Sequence, residues 1–485
     1  MSYIDAPEFI QNFEDANLDK LMTLNISHYN LWQIVKVPLF YELLKGNTIK
    51  INSTKTDYSN RYFKYFIVSV KILKYSLKFF WYSCYVLLQK PGKYIFFLNA
   101  VDRKISKQGL LINPIFNPIL ELSNPKNNLI FEEFNVKGSK YKHSPDVDLN
   151  FTNFIISRFI RIRELMNSDV TQFIDLFNQQ CESSQTKNTI DSSFIFNTVN
   201  HFFKEKLFWV FILNRLKPKK VFSSEKICTG LLAAAIELNI PFYEFQHGNI
   251  DFYYPPYVIS KEFKNVSNDL RPTKIVVFGD LAKNIVTRSG YYSNEEIFIL
   301  GRQSINEARK MISSDVEDHL LFIFQPMMPR LNERIVEKIN NLSSKFHIKI
   351  KFHPLQSKEE ISRLLNFLNK TKIEVLDTNS DIYDAISNSK IVISHVSTVL
   401  DESLSLGRMS VTITTEEFPL GIHSMTKCND LVDVILPVKL NDLETTLSNL
   451  LNSDNAQKEL LQAIEKKKYF IYADNVNFNV KQLVL

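Results

Sequence analysis

The second half of the chain is built from short apolar runs that alternate with longer amphipathic ones. His319 to Gln325 (HLLFIFQ), Ile348 to Phe352, Ile373 to Leu376, Ile391 to Ser394 and Val411 to Thr414 are runs of strand length, and the first and fourth of them are apolar almost throughout. Between them, Leu331 to Lys345, Lys358 to Leu368, Ile382 to Ser387 and Ser397 to Leu406 carry apolar residues at helical spacing. Strands without polar alternation are buried on both faces, as in a parallel sheet covered by helices. The alternation predicts a doubly wound α/β unit, with Val411 to Thr414 as its last strand.

An earlier cadence of the same kind precedes it. Lys220 to Ser223, Pro241 to Phe245, Lys274 to Gly279 and Ile297 to Leu300 read as strands, with helices over Glu225 to Leu238 and Leu281 to Ser289. Residues 1–90 and Asn150 to Lys217 read as mostly helical, while Lys93 to Leu98 and Asn128 to Phe131 are compatible with strands. The polar stretch Gly301 to Asp318 lacks a strand signal and marks the break. The expected division is 1–305, 306–455 and a helical segment 456–485 packing back on the first unit.

Length and composition narrow the class. At 485 residues the chain exceeds one ordinary core, and 45% apolar with 23% charged residues describes a folded protein. A net charge of +6 permits anionic ligands without suggesting a nucleic-acid partner. Cys84, Cys181, Cys228 and Cys428 are scattered, which argues against a zinc site or disulfide framework and for a reducing, cytoplasmic setting. Met1 to Lys20 lacks the apolar core of a secretion signal. Phe63 to Leu88 is aromatic-rich, with Lys64, Lys71, Lys74 and Lys78 on one helical face, and its uncharged run Phe79 to Gln89 is too short to span a bilayer. It is either a core helix with a solvated stripe or a peripheral anchor on the inner membrane. Only 11 glycines are present and none form Gly-x-Gly, so both the dinucleotide fingerprint and the Walker loop are excluded.

Candidate chemistry gathers at strand tips, where open α/β sheets bind ligands and helix N-termini hold phosphate. In the second unit these are Gln325-Pro326, His353-Pro354 and Ser394-His395-Val396-Ser397-Thr398. Together they point to a nucleotide or sugar-phosphate site. Ser397 and Thr398, with Asp401 and Glu402 behind them, fit a capping box equally well. In the first unit, Glu244-Phe245-Gln246-His247-Gly248-Asn249-Ile250-Asp251 leads into the aromatic loop Phe252 to Tyr257, and Gly301-Arg302 closes the last strand. His247, His353 and Arg302 each also have a purely structural reading.

Several of these phrases resemble a known family. Thr273 to Asp280, Gly290-Tyr291-Tyr292 and Ile297 to Gly301 look like the hinge-proximal part of GT-B glycosyltransferases. Asp381 to Ala385, Val392 to Thr398 and Glu402 to Gly407 resemble their donor-site strand and helix. His353-Pro354 and Ser397-Thr398 are similar to the HP and S-S/T motifs of bacterial sialyltransferases, polysialyltransferases and capsule Kdo transferases. The likeness covers roughly residues 220–440.

The resemblance implies an α/β GT-B fold: two Rossmann-like domains facing a cleft, with a largely helical N-terminal extension and C-terminal helices. It implies a metal-independent transferase without a cofactor, moving sugar from a nucleotide-sugar donor, CMP-sialic acid or CMP-Kdo, to a surface-polysaccharide or lipid-linked glycan acceptor. Ser397 and Thr398 would hold the donor phosphate, Glu402 the ribose or base, and His353 the leaving group. Pro354, Gln325, Ser394, His395, Gly301 and Arg302 would line the donor site. Where related families place an acidic pair before a glycine, this chain has Gln246-His247. His247 therefore stands as the candidate base, with Glu244 or Asp251 orienting it. Asp146-Val147-Asp148 matches Asp-x-Asp, the pattern of a metal-binding site, but lies outside the α/β cadence. A CDP-glycerol or CDP-ribitol phosphotransferase, and a non-catalytic glycan-binding scaffold, remain as alternatives.

Overall fold

The computed structural model describes residues 5–484 except 47–84, 87, 99–103, 106–108, 124, 133–140, 150–151, 154–155, 158–159, 161–167, 185–189, 191, 225–228, 313–316, 327–328, 355, 369–372, 379, 427–428 and 475. The lysine stripe of Phe63 to Leu88 thus lies outside the described residues, as does the start of the helix expected over Glu225 to Leu238.

Two parallel sheets organise the chain. Among the described residues the first holds β1 (Tyr94–Leu98), β2 (Asn128–Glu132), β3 (Val147–Asp148), β4 (Lys220–Ser224), β5 (Phe242–Phe245), β6 (Lys274–Val277) and β7 (Ile297–Ile299). The second holds β8 (His319–Ile323), β9 (His347–Lys351), β10 (Ile373–Val375), β11 (Ile391–Ser394), β12 (Met409–Thr414) and β13 (Ile435–Lys439). Their spatial orders are β7-β6-β5-β4-β1-β2-β3 and β10-β9-β8-β11-β12-β13. In each, the chain runs outward from the centre, returns, and runs out the other way, as in a Rossmann sheet. The direction reverses between β1 and β4 in one sheet and between β8 and β11 in the other. Two such domains in one chain make the GT-B architecture.

Three elements extend or correct the sequence expectation. The first sheet starts before the cadence at Lys220: the strand-compatible runs at Lys93 and Asn128 supply β1 and β2, and β1 pairs with β4. Asp146-Val147-Asp148 belongs to that sheet: Val147 and Asp148 pair with Phe131 and Glu132, and Asp146 accepts the Ile130 amide at 2.8 Å. Beyond Val411 to Thr414 a further strand, β13, continues the second sheet. Its Pro437 donates no backbone hydrogen bond, which an edge strand tolerates.

The helices Asp5–Thr23, Leu31–Gly46, Ser168–Ser183 and Ser192–Leu216 cover one face of the first sheet. Aromatic packing joins the layers: Phe97 stacks on Phe131 at 4.9 Å and meets Trp209 edge-on at 4.9 Å. Glu14 and Lys36, both buried, pair at 2.6 Å. Trp32, the Ser260 amide and the Val258 carbonyl complete their hydrogen bonds, tying these helices to the loop after β5. Bonds of this kind offset the desolvation that lowers the Lys36 pKa. Among the described residues no helix is long and apolar enough to cross a membrane.

The C-terminal segment crosses back to the first domain. Ala473 donates its amide to Phe278, Leu281 to Phe470, and the last helix, Val476–Val484, packs on the helix Asn117–Leu122. The crossing depends on glycine. A Cβ on Gly279 would lie 2.4 Å from the Ile471 carbonyl oxygen.

Candidate functional site

The tips of β9, β8 and β11 stand side by side. Lys351 pairs with Ile323, and the Phe324 amide donates to the Lys351 carbonyl at 3.0 Å. His353 and Gln325 therefore leave neighbouring strands, with the Ser394 to Thr398 loop on the other side of Gln325. Ser394 spends its hydroxyl on the Ile323 carbonyl at 2.8 Å, across the point where the strand order reverses. Gln325 donates to Ser397 Oγ at 2.8 Å, and the same hydroxyl accepts the Val399 amide at 3.3 Å. Ser397 thus shapes the entrance to the helix Val399–Ser405. Thr398 is exposed and makes no capping bond with its side chain.

That helix forms because Leu400 and Leu404 face the core, and a Schellman turn at Gly407 (φ +71°) ends it. Its first turn carries Asp401 and Glu402, both buried, and the first domain holds each of them. Arg302 Nη1 donates to Glu402 Oε1 at 2.9 Å, and Asn249 Nδ2 donates to Asp401 Oδ2 at 3.0 Å. Two loops of the first sheet thereby grip consecutive residues of the second domain's helix.

Electrostatics follow from that burial. Burial, with Glu402 adjacent, pushes the Asp401 carboxyl up to about 7, against the bond from Asn249. The Arg302 guanidinium lies 5.8 Å from the Phe278 ring centroid and 5.7 Å from that of Tyr472, while its Nε has no partner. Burial, then Glu402, push the Tyr383 hydroxyl up to about 12, and Tyr383 shares a 3.0 Å hydrogen bond with Ser304. His395 is buried, burial pushes it down to about 4, and neither ring nitrogen has a partner. His353 is half-buried and held below its ordinary value by burial alone. Pro354 after it is exposed, and Gln356 closes the turn by accepting the His353 amide at 2.9 Å.

On the first domain, Gln246 bridges the Phe278 amide and the Gly248 carbonyl, each at 2.8 Å, and so fixes the loop that carries His247. His247 lines a cavity of about 640 Å3 together with Ser224 and the helices above it. Asp251 accepts the Tyr253 amide at 2.8 Å and turns the aromatic loop. Glu244 lies apart, inside β5 and buried, where after burial itself it adds to the upward shift of Tyr292. Gly301 adopts φ +84° against Ala473 and Val476.

The structure thus brings together Arg302 with Glu402 and Gln325 with Ser397, and leaves Glu244 within the sheet. Asp401, Asn249 and Ser224 were not singled out from the sequence as site residues. The Asp401-Glu402 pair in a first turn was the one available signal, and its partners lie in another domain. Among the described residues, no three His, Cys, Asp or Glu gather as a metal site would require.

No family model matches the sequence, and no curated protein does. Solved structures similar to the chain include a putative UDP-N-acetylglucosamine 2-epimerase from Listeria monocytogenes, at 10% identity and a TM-score of 0.47, over 81% of this chain and 95% of that one. A glycosyltransferase from Rickettsia africae shows 13% identity and a TM-score of 0.44, over 81% and 97%. MurG from Acinetobacter baumannii shows 11% and 0.45, over 81% and 99%.

Proposed function

We propose that this protein is a glycosyltransferase that moves a sugar from a nucleotide-activated donor to a surface-polysaccharide or lipid-linked glycan acceptor. The observation that carries this reading is the double grip of Asn249 on Asp401 and Arg302 on Glu402, which sets the loops of one Rossmann-like domain against the strand tips of the other. Ligands of such sheets bind at the reversal of strand order, here beside Gln325, Ser397 and Thr398.

The donor phosphate would lie against Thr398, Ser397 and the helix start, with His353 beside it. His353, whose proton burial makes easier to give up, would donate that proton to the leaving phosphate as its charge develops. His247 would take the proton of the acceptor hydroxyl, on the opposite side of the cleft. The favoured donor, on the His353-Pro354 and Ser397-Thr398 resemblance, is a CMP-linked acid sugar. Peripheral membrane contact through the lysine stripe is part of the same reading, and predicts vesicle binding that weakens with salt.

The test is nucleotide release from CMP-sialic acid, CMP-Kdo, CDP-glycerol and UDP-N-acetylglucosamine by the purified chain. CMP release from a CMP-sugar supports the reading. Turnover of CDP-glycerol alone points instead to polyol-phosphate transfer, and no turnover or nucleotide binding to a scaffold.

A further inference from the structure

The cavity behind His247 has no part in the donor chemistry. It lies under the helices Leu31–Gly46 and Ser192–Leu216, at the ends of β4 and β5, and its volume suits a monosaccharide-sized ligand. Three observations narrow the ligand. Ser224 is only 1% exposed, lines the cavity, and its hydroxyl has no hydrogen-bond partner. A buried hydroxyl left unbonded is costly, so a ligand that completes it gains by doing so. Thr229 lines the cavity, and the Gly230 amide beside it is a helix group of the kind that ordinarily attracts an anion. Here Glu205 already occupies it, accepting the Gly230 amide at 2.9 Å, so a second anion meets a carboxylate instead. In the remaining wall Val37, Pro38 and Phe202 suit the C–H face of a sugar ring, and Asn197, Thr198 and His201 add polar groups that suit its hydroxyls.

We infer that this cavity is the acceptor subsite and takes a neutral, hydroxylated ring, which bonds Ser224 and lies against Phe202 with His247 in the same wall. The inference rests on the glycosyltransferase reading for the word acceptor, and on the cavity alone for the ligand class. Two helices of the N-terminal third would then select the acceptor, while the second domain selects the donor.

The test titrates phenyl β-D-glucoside, phenyl β-D-galactoside, phenyl N-acetyl-β-D-glucosaminide and the anionic phenyl β-D-glucuronide against the full chain by calorimetry, with CMP and UDP in parallel. At least one neutral glycoside should bind, with the glucuronide at least tenfold weaker. Ser224→Ala should weaken binding about fivefold, the worth of one neutral hydrogen bond. Thr198→Trp, which fills the cavity from the helix above, should abolish it. Nucleotide binding should be unchanged in both variants. The inference is overturned if no neutral glycoside binds, if the glucuronide binds as well, or if both variants bind like the parent. Should Thr198→Trp fail a thermal-melt control, Ser224→Ala decides. Glycoside binding without nucleotide binding sinks the transferase reading and leaves the cavity's ligand class standing, whereas the reverse sinks the cavity.

Discussion

The side-chain amide of Asn249 donates a 3.0 Å hydrogen bond to the carboxyl of Asp401, across the two domains. Asp401 is buried beside Glu402, and burial first, then that neighbour, raise its pKa to about 7. An unfolded aspartate titrates near ~3.9, so the folded state holds an extra proton between roughly pH 4 and 7. The stability this contributes is present below that window and lost as the pH rises through it. Melting temperatures measured across pH 4 to 8 should therefore fall more steeply toward neutrality in the parent than in Asp401→Asn. Equal slopes would remove the assignment.

Arg302 and Glu402 form the second tie, and there the charge is paired. Removing one partner leaves the other buried alone, which costs about 3–5 kcal/mol. Arg302→Met should lower the urea-unfolding free energy by about 3 kcal/mol, since it also strips the contacts with Phe278 and Tyr472. Glu402→Gln should cost less, because a carboxamide oxygen still accepts from Nη1. The double variant Arg302→Met with Glu402→Leu should recover part of the loss. If the double variant is as unstable as the sum of Arg302→Met and Glu402→Leu made singly, the pair is not the source of the coupling.

These two ties also mark the limit of what could be read from the chain. The strands β8 and β11 were legible because strands buried on both faces are nearly all apolar, whereas β9, β10 and β12 carry polar residues and were legible from their place in the strand–helix alternation. Edge strands gave no such signal: β13 contains Pro437, and β3 is only Val147–Asp148. In the first sheet, β2, β3 and two long helices separate β1 from β4 in the chain, so Tyr94–Leu98 and Lys220–Ser224 did not look like neighbours. The strand-tip positions of Gln325, His353 and Ser394 to Thr398 followed from pattern and motif. That Glu402 meets Arg302, and Asp401 meets Asn249, depends on how the domains face each other, which no local pattern encodes.

Gly301 links the hinge to the C-terminal crossing. Its φ of +84° is left-handed, and an added Cβ would sit 2.6 Å from the Ala473 carbonyl oxygen and 2.8 Å from Val476. Gly301→Ala should destabilise by at least about 1–2 kcal/mol through backbone strain and displacement of that segment. Gly407 is a useful control: its φ is +71°, yet nothing lies within 4 Å of its Cβ position. Hydrogen exchange should show faster exchange over residues 476–484 in Gly301→Ala and unchanged exchange there in Gly407→Ala. The same pattern in both variants would mean the contact with Ala473 does not matter.

The two histidines should fail in different ways. His353 is assigned to the leaving phosphate, so His353→Ala should slow both transfer and donor hydrolysis by about 10²–10⁴-fold, the usual worth of a positioned acid. His247 is assigned to the acceptor hydroxyl, so His247→Ala should slow transfer by a similar factor while slow donor hydrolysis continues. The pH profile separates a proton role from a packing role. Burial holds His353 below the ordinary histidine value, so kcat/KM should decline with rising pH from below ~6.5 as its proton is lost. His353→Gln, which keeps a hydrogen-bond donor but cannot titrate, should abolish that decline. A variant profile that keeps the parent's decline would take the proton away from His353, and full transfer by both alanine variants would remove both assignments.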